Sequence, residues 1–172
     1  MIDKQQEILD KHQITIQTYQ DNTVSDIPVL LNKINKITQQ KEDSIIQLVN
    51  TDNICGKKHL KQAIAQAFKA FDEKQNFAND PGLEIVVRLS AQKQINKALK
   101  KLGIKEKGNI TVLYIDTTQD QIQETQKLFV NRYDNLLEEY DLDMIKKEYD
   151  IYSDENITEQ INEQIALLAL KG

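Results

Sequence analysis

Residues 56–71, GKKHLKQAIAQAFKAF, and residues 83–90, LEIVVRLS, decide how this chain is read. In the first stretch Leu60, Ala63, Ile64, Ala67, Phe68 and Phe71 recur at helical spacing, while Lys57, Lys58, Lys61 and Lys69 fall largely outside that stripe, so it predicts an amphipathic helix. The second stretch supports two readings, because its β-branched residues favour a strand and its setting beside helical patterns favours a helix. Asn79, Asp80, Pro81 and Gly82 separate the two.

Working outward, Ile14 and Ile16 alternate with polar residues from Gln13 to Tyr19, as a half-buried strand requires. Ser25 and Asp26 offer an N-cap, Pro28 suits a first turn, and Ile27, Leu30, Leu31, Ile34 and Ile37 continue as a helix. Ile45 to Val49 reads as a short buried strand. Beyond the ambiguous stretch, Ser90 is a candidate cap for a helix carrying Ile95, Ala98, Leu99 and Leu102, with Gly103 as a left-handed stop. Asn109 to Ile115 predicts a strand covered on both faces, since Ile110, Val112 and Tyr114 alternate with Leu113 and Ile115. Thr118 with Gln121, and Asn156 with Glu159, form capping-box patterns ahead of two further helices, and a short helix is expected around Met144 to Tyr149.

These elements predict a mixed α/β fold: a small central sheet of about three strands packed with several helices, in a single domain over 13–172 preceded by an arm or short helix over 1–12. The length of 172 residues suits one core. No apolar run approaches the roughly 20 residues of a membrane span, and the N-terminus lacks a signal-peptide pattern, so a cytoplasmic protein with no membrane partner is expected. The lone cysteine, Cys55, excludes an intrachain disulfide. Cys55 and His59 have ligand-like spacing but lack the further donors a zinc site needs, so neither metal nor cofactor is expected.

Charge is divided unevenly. Residues 1–55 carry 5 basic and 8 acidic side chains, 56–107 carry 12 and 5, and 108–172 carry 5 and 14, so a chain of net charge −5 has a cationic middle. Phosphate-binding glycine loops, nucleophile elbows and HExxH are absent from the sequence, and the acidic pairs Glu138 with Glu139 and Asp141 with Asp143 read as solvated surface. Lys57, Lys58 and His59 follow Gly56 at a helix start, where backbone N–H groups and the helix dipole favour an anion. The bland reading of the same lysines is a solubilising helix face. The terminal helix raises a similar choice. Ile157, Ile161, Ile165 and Leu168 make one stripe that Leu167 and Leu170 widen, which suits either a core helix or one that meets another protein.

Taken together, 56–71 and LEIVVRLSAQKQINKALKKLGI at 83–104, with Arg88, Ser90, Gln94 and Ile95 in an R-x-S-x-x-x-Q-I arrangement and ALLALKG at the end, resemble the kinase-binding regulatory subunit of the archaeal and eukaryotic KEOPS complex, the family that includes the human PRPK-binding protein. The resemblance covers about residues 13–171. It implies that LEIVVRLS is helical and that the chain is not an enzyme. It implies binding to the KEOPS protein kinase, indirect association with other KEOPS subunits, and capture of the 3′ CCA end of tRNA while another subunit makes threonylcarbamoyladenosine. On that basis Lys57, Lys58, His59, Arg88, Gln92, Lys93 and Gln94 are the expected tRNA-binding residues, and Ile161, Ile165 and Leu168 the expected kinase contact. Relatives commonly carry glycine and arginine where this chain has Ala91 and Lys93, which weakens close backbone approach and bidentate phosphate recognition. The rival reading is a protein-interaction adaptor without nucleic-acid binding.

Overall fold

The structure, a computed structural model, describes residues 3–168. Its three strands are β1 (Ile14–Thr23), β2 (Ile45–Asn50) and β3 (Lys107–Ile115), in the order β1-β3-β2 with β3 antiparallel to both neighbours. The last strand in sequence therefore fills the gap between the first two, and its alternating pattern explains why. Ile110, Val112 and Tyr114 point into one buried cluster and Leu113 and Ile115 into the other, so β3 is apolar on both faces and must sit centrally.

One face is covered by α2 (Ile27–Thr38) and α6 (Gln119–Gln126), which bury Leu30, Ile34, Ile37 and Ile122 against Ile46, Leu48 and Val112. Both helices start on expected caps: the Asp26 side chain accepts from Val29 N at 3.1 Å, and Thr118 and Gln121 form the reciprocal capping box. The other face carries α1 (Lys4–Leu9), α3 (Gly56–Asp72), α4 (Pro81–Ser90) and α5 (Ile95–Leu102), with Leu60, Ile64, Ile85, Leu89 and Leu102 in its core. The N-terminal segment is thus a short helix that contributes Leu9 to the core and is pinned by His12, whose Nδ1 lies 2.7 Å from Asp116 Oδ2 and whose ring stacks on Phe68.

LEIVVRLS is helical. Asp80 caps it by accepting from Leu83 N at 2.9 Å and Pro81 opens its first turn. Every residue from Glu84 to Ser90 is buried, so its β-branched content is tolerated by packing on all sides. Burial also fixes its one ion pair. Glu84 accepts from Phe77 N, Ala78 N and Arg88 Nε at 2.7–2.8 Å, which ties the loop after α3 to α4.

Three expected helix signals act differently. Ser90 is the last residue of α4, its Oγ accepting from Gln92 N, and Gln94 precedes α5. Gly103 has an extended backbone, φ −64°, and is needed because its N–H donates to Leu99 O at 2.7 Å with no room for a Cβ. Asn156 takes a left-handed φ of 53° and makes no side-chain cap, so the second capping box does not form.

After a short 3-10 turn (Asp134–Glu138) come α7 (Leu142–Glu148) and α8 (Ile157–Leu167), which pack outside α3 and α4 through a third cluster of Cys55, Ile145, Tyr149, Ile151, Ile157, Ile161 and Ile165. Ile161 and Ile165 are fully buried and Leu168 nearly so, whereas Leu167 is 42% exposed. Leu170 lies outside the described residues. Ile161→Ala should therefore cost about 2–5 kcal/mol, a clear drop in the urea midpoint, and Leu167→Ala about 0.5 kcal/mol or less. Equal costs would show that α8 does not pack by this stripe.

Candidate nucleic-acid interface

The start of α3 was the expected anion site, and its backbone is already committed. Gly56 enters the helix at φ +79°, and Lys57 N–H donates to Glu138 Oε1 at 2.7 Å. A Cβ on Gly56 would fall 2.7 Å from Glu138 Oε2, so glycine here admits the carboxylate that caps the helix. The side chains of Lys57 and Lys58 remain exposed. Lys57 and Lys61 line a depression with Gln6, His12 and Ile14, beside β1.

His59, one turn into α3, is fully buried. Its Nδ1 lies 2.9 Å from Cys55 N, and since a backbone amide can only donate, Nδ1 is the unprotonated nitrogen. Nε2 then carries the proton and donates to Leu89 O at 2.9 Å. Leu89 O also accepts from Tyr149 OH, and the Tyr149 ring meets the imidazole edge-on. Burial depresses the His59 pKa to about 4, with Lys101 adding to the effect and the Leu89 bond opposing it. Arg88 is also internal, 2% exposed, held by Glu84 and Gln75 O with its guanidinium over the Phe77 ring. His59 acts as an internal tie, whereas Arg88, though almost fully buried, lines a depression of about 500 Å³ with Lys69, Lys74, Gln75 and Phe77.

Cationic side chains do converge on α5. Ala98 and Leu102 face inward, which turns Lys97, Lys100 and Lys101 outward along one short helix. Together with Gln92, Lys105, Asn53 and Glu148 they line a cavity of about 390 Å³, setting four ammonium groups against one carboxylate. Lys101 anchors the wall: its Nζ donates to Ser90 O at 3.2 Å and sits 4.3 Å from the centre of the Tyr149 ring. Burial lowers its pKa, while Glu148 and Asp150 pull the other way.

The loop feeding α5 turns at Ala91, which takes a left-handed φ of 57°. A glycine at this position relieves backbone strain, so a steric reason for it exists apart from any close approach of a ligand. Gln92 reaches the cavity, while Lys93 and Gln94 follow in the connection. Of the expected tRNA-binding residues, then, Gln92 joins the α5 lysines, Lys57 and Lys58 lie on a different part of the surface, Arg88 lines a separate depression beside Lys69 and Lys74, and His59 is inside. Ile161, Ile165 and Leu168 are occupied in the core. In the sequence Lys97, Lys100, Lys101 and Lys105 are legible only as part of the cationic middle, because nothing in their spacing reveals the wall that Asn53 and Glu148 complete.

The family model for "Kinase binding protein CGI-121" matches residues 8–171. The chain is also similar to the "Regulatory protein Cgi121" of Methanocaldococcus jannaschii, 32% identical over 128 residues that make up 73% of this chain and 83% of that protein.

The buried imidazole makes stability pH-dependent. Its folded pKa of about 4 is below the unfolded value of 6.5, so the stabilisation is complete above the unfolded value and is lost as pH falls through this window. Urea unfolding should show about 2 kcal/mol less stability at pH 5 than at pH 7.5 from this group. His59→Gln should be less stable at pH 7.5 and should lack most of that decline; an unchanged pH profile would show that His59 does not titrate as a buried group.

Proposed function

This chain belongs to the CGI-121 kinase-binding protein family, and from that premise we propose that it is a noncatalytic regulatory subunit of the KEOPS tRNA-modification complex, binding the complex's protein kinase and the 3′ CCA end of tRNA in the cytoplasm. The observation that carries the RNA part is the lysine-walled cavity on α5. A single-stranded terminus can lay its phosphates along Lys97, Lys100 and Lys105 and turn its last bases toward Gln92, whose amide offers both donor and acceptor. Lys57 and Lys58, whose ammonium groups are exposed, add longer-range attraction to the same polyanion.

The role is one of presentation. The site supplies positive charge, amide groups and a firm wall, which suit positioning of an RNA end for chemistry performed by another subunit. The kinase part rests on the family, whose name describes kinase binding. Because the inward stripe of α8 is spent in the core, the kinase contact is expected from side chains that remain outside.

Titration of tRNA against the protein over a range of salt separates this reading from an adaptor that binds protein alone. Reversing Lys97 and Lys100 together to Glu should weaken binding about tenfold or more. The log–log salt slope should flatten by about 1.4, at roughly 0.7 per single-strand phosphate released. Removing CCA from the tRNA should have a comparable effect on the unaltered protein. Binding indifferent to both changes would leave the adaptor reading in its place.

A further inference from the structure

Within the acidic segment after β3, Glu148 lines the RNA site and the other carboxylates lie outside that lining. Residues 134–155 hold nine carboxylates against two lysines. Several serve the fold: Asp134 accepts from Thr18 N and pairs with Arg132, Glu138 caps α3, Asp141 caps α7 through Met144 N, and Asp154 pairs with Lys146. Asp143, Asp150 and Glu155 are exposed and have no ion pair or side-chain hydrogen bond among the described residues. Among them stand apolar groups that the core does not take. Leu142 and Met144 on α7 are each 40% exposed, while the helix buries Ile145 and, at its C-cap, Tyr149. Tyr152 is 91% exposed on the connection to α8.

We infer that this face, with Tyr152, Leu142 and Met144 as its apolar anchors and Asp143, Asp150 and Glu155 as its rim, docks a basic surface of the kinase. The inference rests on the kinase-binding reading above and names the contact which that reading leaves open. Charge selects the class of partner: carboxylates at this density repel phosphate, so the occupant is protein, and its rim must carry Lys or Arg to match. The composition selects the mode, since an exposed tyrosine and two aliphatic groups ringed by charge have the pattern of an interface whose centre is dry and whose edge is polar. Side chains of the inward stripe of α8 cannot supply this contact without leaving the core, whereas these three can do so with the fold intact.

The test is a binding titration between this chain and the KEOPS kinase of the same organism. Tyr152→Ala should weaken the complex about 30-fold, the loss expected for one hot-spot residue. Asp143→Lys with Asp150→Lys should weaken it further as the salt dependence of the wild type disappears. Tyr152 is almost fully exposed, so the unfolding midpoint of Tyr152→Ala should match wild type, and Lys97→Glu with Lys100→Glu should leave kinase affinity unchanged. Wild type that binds the kinase, with variants that bind equally well, overturns this face while leaving the kinase-binding reading intact. Wild type that fails to bind overturns both. Self-association abolished by Tyr152→Ala, with kinase affinity unaltered, would assign the face to a second copy of the chain and overturn the inference.

Discussion

One imidazole joins the helical layer to itself. Cys55 N–H lies at the start of α3 and Leu89 C=O at the end of α4, and such terminal groups have no partner within their own helices. Buried without partners, each would carry a penalty of about 1–3 kcal/mol. His59 satisfies both, accepting with Nδ1 and donating with Nε2, and the single Tyr149 hydroxyl proton is shared between Asn53 O at 2.7 Å and Leu89 O at 3.2 Å. The neutral tautomer is therefore a structural requirement, since a protonated ring has no acceptor for Cys55 N–H. Through this joint the end of α4, the turn at Ala91 and the Tyr149 ring under Lys101 share one framework, so the cationic wall on α5 is held by the same contacts that close the core.

The charge map follows from the same economy of partners. A helix start with no side-chain cap from Cys55 would expose amides to any available anion, and the chain supplies Glu138 from its own acidic segment. That contact draws the 3-10 turn onto α3, where Leu137 enters the core beside it. A free phosphate at this point would have to displace a carboxylate tethered nearby at high effective concentration. On α5 no carboxylate covers the ammonium groups to that degree, with Glu148 alone among the cavity walls. Local charge counts rank both helices as cationic; only the folded arrangement distinguishes the neutralised site from the open one.

Most of the architecture was legible because its signals are local. The alternation in Asn109 to Ile115 predicts a strand covered on both faces, and the Asp26 cap and the Thr118–Gln121 box lie where their sequence patterns indicate. LEIVVRLS was ambiguous from the residues because propensity reports a half-buried surface, whereas this helix is enclosed on every side. Asn156 illustrates the opposite failure: the spacing of a capping box was present, but the chain enters α8 from a left-handed turn that directs the side chain elsewhere. The family resemblance puts His59 and Arg88 among the binding residues, and His59 also follows a helix start that favours an anion. The burial of His59 depends on Leu89, 30 residues further on, and on Tyr149, which no local spacing encodes; Glu84 is at helical spacing from Arg88, but the Gln75 carbonyl and Phe77 ring that hold the guanidinium belong to the loop after α3.

The apolar stripe of α8 shows how a breadth of hydrophobic residues can be read two ways and resolved by geometry. Ile157, Ile161, Ile165 and Leu168 follow one another at the spacing that keeps a single line facing α3 and α4, so the line is consumed internally. Their neighbours at Ala166 and Leu167 are exposed, so the second side of the helix is a thin edge. Within the acidic segment, Leu142 and Met144 on α7 and Tyr152 on the connection after it are the exposed apolar groups among the described residues. A helix that secures the fold with one side has little left to offer a partner, whereas a segment anchored by Ile145, Tyr149 and Ile151 can present its remaining side chains on a fixed base, with less ordering to be done on binding.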